Sequence, residues 1–225
     1  MKTKEKSTNS VPMDTKGFDR HRSGPKRMYV DLDDVLSRTT DTYGEVIERE
    51  FGRQVRFEDL VSFDLKISFG LTDKEFHYFF DLVHQPDVLM GYEPVPGAVA
   101  MLEGWADAGH EIDIVTGRPS SAREASLAWL DRHRVPFTDF TMVDKYNRAG
   151  NDSARVISKE QLRHRHYDLA VEDSGETAMF LADTMGVFVM LYDRPWNRHA
   201  VNHRNIQRVY SWQFLSCLSF WPGSV

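Results

Sequence analysis

The sequence predicts an α/β fold in which crossover helices connect the strands of a parallel sheet, with a helical insertion after the first strand. Short apolar runs that end at polar or acidic residues alternate with patterns typical of helices along most of the chain. A long stretch of helical pattern, residues 37–92, separates the first apolar run from the others. The length of 225 residues accommodates one domain with such an insertion, but not two full-sized domains.

The strands are predicted from apolar runs that are short enough to be buried strands of a parallel sheet. The predicted strands are residues 27–31, 111–115, 140–143, 168–171 and 187–191. The helices are predicted from apolar side chains spaced close to 3.6 residues apart, and Thr72 with Glu75 forms the pattern of a capping box. The predicted helices are residues 41–51, 72–83, 98–108, 122–130, 159–164 and 175–185.

The composition is that of a soluble globular protein. Apolar residues make up 41% of the chain, and no apolar run approaches the ~20 residues that a membrane span requires. The N-terminus lacks the apolar stretch of a signal peptide, so we expect a cytoplasmic protein with no membrane partner. The single cysteine, Cys217, excludes an internal disulfide and a CxxC pair, and we expect it to be a buried structural thiol.

Charge is distributed unevenly along the chain. Residues 1–27 hold eight Lys and Arg against three Asp and Glu, a charge of +5, which leaves −11 for the rest of a chain whose net charge is −6. An acidic body argues against extended binding of nucleic acid. Residues 1–26 are polar and poor in aromatic residues, so a disordered basic tail is expected there.

Functional side chains follow three of the predicted strands at the point where each strand ends. Asp31 and Asp33 follow the first strand, Thr116 and Gly117 the second, and the pair Glu172 and Asp173 the fourth. Ligands of open parallel sheets bind outside the carboxyl ends of the strands, so we expect these side chains to converge. Converging carboxylates repel one another unless a cation lies among them, and hard oxygen ligands favour Mg²⁺ over zinc.

A carboxylate beside Mg²⁺ can attack phosphorus, and a second acid two residues later can protonate the leaving group. Asp31 and Asp33 have this spacing. The hydroxyl of Thr116, the amide of Gly117 and a lysine are the candidate donors to the phosphoryl oxygens. The acidic cluster alone is also compatible with a solvated helix N-terminus, but the matching residues at the other strand ends argue for a catalytic site.

Three motifs, in this order and at strand ends, resemble the haloacid dehalogenase superfamily of phosphatases. They are Asp31-Leu32-Asp33-Asp34-Val35, Ile114-Val115-Thr116-Gly117-Arg118 and Leu169-Ala170-Val171-Glu172-Asp173-Ser174. The resemblance covers about residues 27–215 and implies a Rossmann-like parallel sheet. It also implies that Asp31 is the nucleophile and a metal ligand, that Asp33 is the acid and base and binds metal through its carbonyl, and that Asp173 is a direct ligand. Glu172 would contact the metal through water or support its ligands. Thr116, Gly117 and Arg118 are the candidate substrate-binding residues, with a surface ion pair as the alternative role of Arg118.

The phosphate-binding lysine of that superfamily has two candidates in this chain. Residues 156–160 look like the lysine segment of polynucleotide 3′-phosphatases and deoxynucleotidases, and this similarity favours Lys159. Lys145, directly after the third predicted strand, is the alternative.

Within the superfamily, residues 93–98, 191–198 and 208–212 resemble the cytosolic 5′(3′)-deoxyribonucleotidase-like branch. This resemblance implies that residues 37–92 form a helical cap over a catalytic core of residues 27–36 and 93–225. Aromatic residues of the cap either stack a base or form the core of the cap itself. These residues are Tyr43, Phe63, Phe69, Phe76 and Phe80. Trp196 and Asn197 either take part in binding or close the edge of the sheet.

The leading hypothesis is a magnesium-dependent phosphomonoesterase that acts on nucleoside monophosphates. One alternative is a nucleic-acid 3′-phosphatase, which the segment at Lys159 and the basic tail favour and the acidic body opposes. The other is a non-enzymatic phosphoacceptor module, which leaves Asp33 and the cap without a role. Four histidines are interpreted as solvated residues rather than metal ligands, namely His164, His166, His199 and His203. The oligomeric state is not predicted.

Overall fold

The computed structural model of the chain describes residues 24–145, 151–199 and 202–216. Cys217 and nearly all of the predicted basic tail lie outside the described residues, so the expectations for both stay predictions. In the described part of the chain, no helix has the length and apolar character that crossing a bilayer requires.

A parallel sheet with β1 near its centre forms the framework of the protein. Across the described residues it contains seven strands in the order β4-β3-β2-β1-β5-β6-β7, and every neighbouring pair is parallel. The strands are β1 (Arg27–Asp31), β2 (Glu111–Thr116), β3 (Asp139–Asp144), β4 (Val156–Ser158), β5 (Leu169–Glu172), β6 (Phe188–Tyr192) and β7 (Ile206–Val209). The predicted α/β fold with a parallel sheet is confirmed.

All five predicted strands are present, with bounds that differ by no more than one residue at either end. The two strands that were not predicted, β4 and β7, are the edge strands of the sheet. Each is short and only partly buried, since an edge strand has a neighbour on one side alone. Their sequences therefore lack the continuous apolar run that identifies the central strands.

Helices connect the strands and also form the segment between β1 and β2. They are α1 (Thr39–Phe51), α2 (Leu65–Ser68), α3 (Asp73–Val83), α4 (Pro86–Met90), α5 (Ala98–Asp107), α6 (Arg123–Arg132), α7 (Lys159–Arg163), α8 (Gly175–Met179) and α9 (Trp212–Ser216). Single-turn helices lie at Phe57–Asp59, Ser120–Ala122 and Pro195–Asn197, and a π-helical turn at Phe180–Thr184 continues α8. Of these, α1 to α4 and the turn at Phe57–Asp59 belong to the helical insertion, residues 37–92.

Successive residues of β1 contribute to separate hydrophobic clusters on the two faces of the sheet. Val30 belongs to the larger cluster and Tyr29 to the smaller one. The larger cluster continues from the sheet into the helical insertion, where it includes Ile47 and Phe79. The insertion thus packs on the same core as the helices flanking the sheet. The boundaries drawn for a cap at residues 37–92 stay a prediction.

The capping box predicted at the start of α3 is confirmed, and it permits a stability prediction. The Thr72 hydroxyl accepts a hydrogen bond from the Glu75 amide at 3.3 Å, and the Glu75 carboxylate accepts one from the Thr72 amide at 2.8 Å. We expect Thr72→Ala to lower the free energy of unfolding by about 1 kcal/mol, because an amide of the first turn loses its acceptor. Urea unfolding followed by circular dichroism measures this change. Thr72→Ser, which keeps the hydroxyl, is the control, and an equal loss in both variants would contradict the capping role.

Candidate active site

The loop after β1 is held in a fixed conformation by hydrogen bonds to its own backbone and to a distant arginine. The Asp31 carboxylate accepts a hydrogen bond from the Asp33 amide at 3.1 Å. Asp34 has a φ of 56°, in the left-handed region that aspartate tolerates better than most residues. Its carbonyl accepts hydrogen bonds from Arg194 at 2.9 and 2.5 Å, and its carboxylate accepts from Thr40. Asp31 and Asp33 are therefore presented from a turn that these hydrogen bonds hold in place.

Three buried carboxylates meet at the carboxyl ends of β1 and β5, as the sequence predicted. One oxygen each of Asp31, Glu172 and Asp173 lies within 4.8 Å of the others. Burial raises the pKa of Asp31 well above its ordinary value, the Glu172 carboxylate raises it further, and the Lys145 ammonium lowers it. Burial and the charge of Glu172 likewise raise the pKa of Asp173. The fully ionised form of the cluster is therefore disfavoured by burial and by the repulsion between its carboxylates.

The donor set of this cluster fits a hard divalent cation. Its ligands are carboxylate oxygens, and within the described residues no other group of acids, histidines and cysteines has ligand atoms this close together. Oxygen ligands at such a site favour Mg²⁺, whereas zinc sites are usually built from nitrogen and sulfur ligands. A cation would also relieve the repulsion that raises the pKa values of Asp31 and Asp173.

The structure places Lys145, not Lys159, among these carboxylates. The Lys145 Nζ lies 2.7 Å from Asp31 Oδ1 and 3.1 Å from Glu172 Oε2, and its side chain is 5% exposed. Lys159 begins α7 after the edge strand β4, its side chain is 35% exposed, and its Nζ pairs with the exposed Glu176. Two strands separate β4 from β1, whereas Lys145 directly follows β3, next to β2. This geometry favours the alternative, Lys145, over Lys159, and the identity of the phosphate-binding lysine stays a prediction.

Asp33 is held by residues from the second motif and from α1. The Arg118 guanidinium binds the carboxylate through Nε and Nη2 at 2.6 to 3.1 Å, and Thr39 donates a hydrogen bond at 2.8 Å. The Thr116 hydroxyl lies 3.3 Å from the same carboxylate. Burial would raise the pKa of Asp33, but the charge and hydrogen bonds of Arg118 outweigh it, and the pKa is lowered. Asp33 is thus stabilised in its ionised form.

Arg118 is itself buried. Its Nη1 donates to Ser126 at 2.9 Å, and the guanidinium lies 5.3 Å from the centre of the Tyr92 ring. Arg118 therefore holds the Asp33 carboxylate in place. Its contact with a substrate stays a prediction. Gly117 and Arg118 both line the cleft described below.

Glu172 is surrounded by donors on both carboxylate oxygens. Tyr29 donates to Oε2 at 2.8 Å, and the amides of Asp173 and Ser174 donate to Oε1 at 3.2 and 2.9 Å. Asp173 has fewer partners, since its carboxylate accepts a hydrogen bond from the Trp196 indole at 3.0 Å. This difference agrees with the expectation that Asp173 is the direct ligand and Glu172 the supporting one.

A cleft of about 1290 Å³ opens above the carboxylates, between the edge of the sheet and the helical insertion. Its wall in the insertion includes an aromatic row formed by Phe76 and Phe80 of α3 and by His84, which directly follows α3. Their ring centres are 5.9 Å apart between Phe76 and Phe80, and 4.2 Å apart between Phe80 and His84. Of the other aromatic candidates, Tyr43 and Phe63 also line the cleft, whereas Phe69 packs in the core.

Several residues of the site were not predicted. In the sequence, nothing distinguishes Tyr29 from other aromatic residues of buried strands. Likewise, nothing distinguishes Thr39 from other residues that begin a helix. Arg194 lies in residues 191–198, whose resemblance to a family assigns it no role at the site. Trp196, for which binding was one of two predicted alternatives, lies beside the acidic cluster and donates to Asp173. Of the four histidines, His164, His166 and His199 are exposed and His203 lies near Asp183, so none lies in the acidic cluster.

The sequence matches the family model described as 5′ nucleotidase, deoxy (pyrimidine), cytosolic type C protein (NT5C) over residues 26–218. A curated protein of Halalkalibacterium halodurans, named "putative nucleotidase", is 26% identical over 187 residues, covering 83% of this chain and 89% of the relative. A "putative 5′(3′)-deoxyribonucleotidase" of Chlorobaculum tepidum is 27% identical over 198 residues, covering 82% and 85%.

Solved structures of similar fold include a haloacid dehalogenase-like hydrolase from Streptococcus pneumoniae. It has a TM-score of 0.53 and 14% identity, with 75% of this chain and 85% of that chain covered. The CbbY protein of Rhodobacter sphaeroides, solved in complex with phosphate, also has a TM-score of 0.53, with 13% identity and coverage of 85% and 96%. At these identities the likeness concerns the fold alone, and it agrees with the resemblance seen in the sequence motifs.

Proposed function

The chain belongs to the cytosolic type C family of 5′ nucleotidases (NT5C) and is a phosphoric monoester hydrolase, and on this premise we propose that it is a magnesium-dependent phosphomonoesterase that forms an aspartyl phosphate on Asp31. Its proposed substrates are nucleoside monophosphates. The observation that supports the nucleophile is the position of the Asp31 carboxylate at the base of the cleft, between Lys145 and the Asp33 amide. The cytoplasmic location stays a prediction.

In the first proposed step, an oxygen of Asp31 attacks phosphorus and the bond from phosphorus to the ester oxygen breaks. Asp33 gives its proton to that departing oxygen, so this step requires the protonated form of Asp33, which the contact with Arg118 disfavours. In the second step, the ionised Asp33 takes a proton from water, which attacks the phosphoaspartate and releases inorganic phosphate. Arg118 holds the Asp33 carboxylate close to the Thr116 hydroxyl. A low pKa at Asp33 favours the second step, because the base must be ionised before it can accept the proton.

Lys145, the Thr116 hydroxyl and the Gly117 amide are the proposed donors to the phosphoryl oxygens. The cation would be held by the Asp31 and Asp173 carboxylates and the Asp33 carbonyl, with Glu172 in support. When bound, Mg²⁺ supplies positive charge to the transferring phosphoryl group and helps to align it. Together, the positive charges of Lys145 and the bound cation would compensate the negative charge of the phosphate, which the acidic residues of the site would otherwise repel.

A nucleoside fits the proposed leaving group better than the end of a nucleic acid does. The aromatic row of Phe76, Phe80 and His84 lines the cleft and offers ring faces on which a base can stack. Among the described lining residues, Asp64 and Asp81 add negative charge outside the carboxylate cluster, which opposes further phosphates of a polynucleotide. The sequence around Lys159 favoured a nucleic-acid 3′-phosphatase, but the Lys159 ammonium pairs with Glu176 at the surface. Family membership argues against the phosphoacceptor module.

Phe80 provides a test of base recognition. We expect Phe80→Leu to lower kcat/KM for nucleoside monophosphates by about tenfold, since stacking on an aromatic side chain contributes about 1–3 kcal/mol per base. Hydrolysis of ribose 5-phosphate, which has no base, should be unchanged. Tyr78→Leu removes an exposed ring from the same helix outside the cleft and is the matched control. Equal losses for both substrates in Phe80→Leu would show that the ring supports the fold rather than the base.

The proposed function is tested by measuring phosphate release from p-nitrophenyl phosphate, from 5′- and 3′-nucleoside monophosphates and from a 3′-phosphorylated oligonucleotide. We expect release from nucleoside monophosphates that EDTA abolishes and added Mg²⁺ restores, because the cation neutralises the acidic cluster. Preference for the oligonucleotide would favour the 3′-phosphatase. Stable labelling of the protein without release would favour the phosphoacceptor module.

A further inference from the structure

Trp196 connects the acidic cluster with the helical insertion. It lies in the single-turn helix Pro195–Asn197, which follows β6. Its indole Nε1 donates a hydrogen bond to Asp173 Oδ2 at 3.0 Å. The next residue, Asn197, donates its side-chain amide to the Asp173 carbonyl at 2.8 Å and to the Tyr192 carbonyl at 2.7 Å. Both the side chain and the backbone of Asp173 are therefore held by this turn.

The orientation of the indole ring is set from its other side by the insertion. Phe57 packs against Trp196 with ring centres 5.6 Å apart and an angle of 68° between the rings. The Arg194 guanidinium lies 5.9 Å from the centre of the Phe57 ring and also binds the Asp34 carbonyl. Arg198 forms ion pairs with Glu58 and Asp193. These contacts fix the position of the indole ring and the direction of its N–H group.

We propose that Trp196 is a positioning residue for the metal ligand Asp173. By occupying Oδ2, the indole N–H fixes the rotation of the carboxylate and leaves the other oxygen for the cation near Asp31 and Glu172. A carboxylate without this partner rotates between several orientations, and binding a cation then requires it to be ordered first. The proposal rests on the magnesium site of the proposed function, and it gives Trp196 a role in metal binding besides its contact with the insertion.

Two variants of Trp196 separate the hydrogen bond from the packing. Trp196→Phe keeps an aromatic six-membered ring but has no N–H donor. Trp196→His keeps an N–H donor, because the imidazole Nε2 takes the place of the indole Nε1 in the five-membered ring, but it loses the larger ring. Trp129→Phe removes another buried indole N–H, one that donates to the Tyr92 carbonyl at 2.7 Å, and serves as the matched control. Thermal unfolding in EDTA shows that each variant is folded.

The readout is the dissociation constant of Mg²⁺, measured by isothermal titration calorimetry on the full chain without substrate. We expect Trp196→Phe to weaken binding about tenfold, as is typical when a group that orients a metal ligand is removed. Trp196→His and Trp129→Phe should bind Mg²⁺ with nearly the affinity of the wild type.

Equal affinity in Trp196→Phe and the wild type would overturn the proposal. Equal weakening in Trp196→Phe and Trp196→His would also overturn it, because packing rather than the N–H group would then hold Asp173. Phosphate release by the wild type is measured separately. A wild type that releases phosphate, combined with unchanged Mg²⁺ affinity in Trp196→Phe, would therefore refute the role of Trp196 and leave the proposed function standing.

Discussion

Asp31→Asn is expected to abolish phosphate release, with a loss in kcat on the order of 10⁴-fold or more, as found when a covalent nucleophile is removed. The amide oxygen of asparagine is a poor nucleophile toward phosphorus, and the change also removes one charge from the proposed metal site. The measurement is phosphate release in saturating Mg²⁺, so that weaker metal binding does not account for the loss. Acid-quenched protein should also show a hydroxylamine-sensitive phosphoryl label in the wild type and none in Asp31→Asn.

The control for this variant is Asp139→Asn. Asp139 is the first residue of β3, whereas the carboxylate cluster lies at the carboxyl ends of the strands. Asp139 pairs with Arg27 at the surface. It undergoes the same chemical change and should retain the activity of the wild type. Turnover by Asp31→Asn at a rate near that of the wild type would mean that water attacks the substrate directly and that no aspartyl phosphate forms on Asp31.

Lys145→Met is expected to lower kcat by about 10²- to 10³-fold, the loss typical of removing one donor to a transition-state oxyanion. Lys145 also balances the charge of Asp31 and Glu172 at 2.7 and 3.1 Å. Without it, we expect the pKa of Asp31 to rise further, because burial and the Glu172 carboxylate already raise it and Lys145 lowers it. The ionised nucleophile then forms only at higher pH, so the acidic limb of the pH profile of kcat should shift upward. Steady-state kinetics over a pH series measures both effects.

Lys159→Met is the matched control, and it also decides between the two lysines. Its ammonium pairs with an exposed glutamate, and exposed ion pairs contribute little to stability. We therefore expect activity and pH profile to equal those of the wild type. A large loss of kcat in Lys159→Met with little change in Lys145→Met would favour Lys159 as the phosphate-binding lysine and contradict the geometry of the site.

The fold and the position of the site were largely predictable from the sequence because they depend on local patterns. Central strands of a parallel sheet are buried on both faces, so β1 and β5 appear as short apolar runs, and β2 does so apart from the buried Asp113. The carboxyl ends of such strands meet at one edge of the sheet, and this rule predicts that Asp31, Glu172 and Asp173 lie at the same edge. They are close together because β1 and β5 are neighbours in the sheet.

Which of the two candidate lysines lies among the carboxylates depends on the order of the strands, and local sequence does not specify that order. Lys145 and Lys159 both follow strands, but β3 lies beside β2 whereas β4 is at the edge, and only the tertiary structure distinguishes these positions. The same holds for contacts between residues that are far apart in the chain. Arg118 binds Asp33 and Trp196 binds Asp173 because separate loops close over the same strand ends. The sequence by itself therefore determined which chemistry is available, and the tertiary structure decided which side chains orient it, since orientation arises from packing between distant segments.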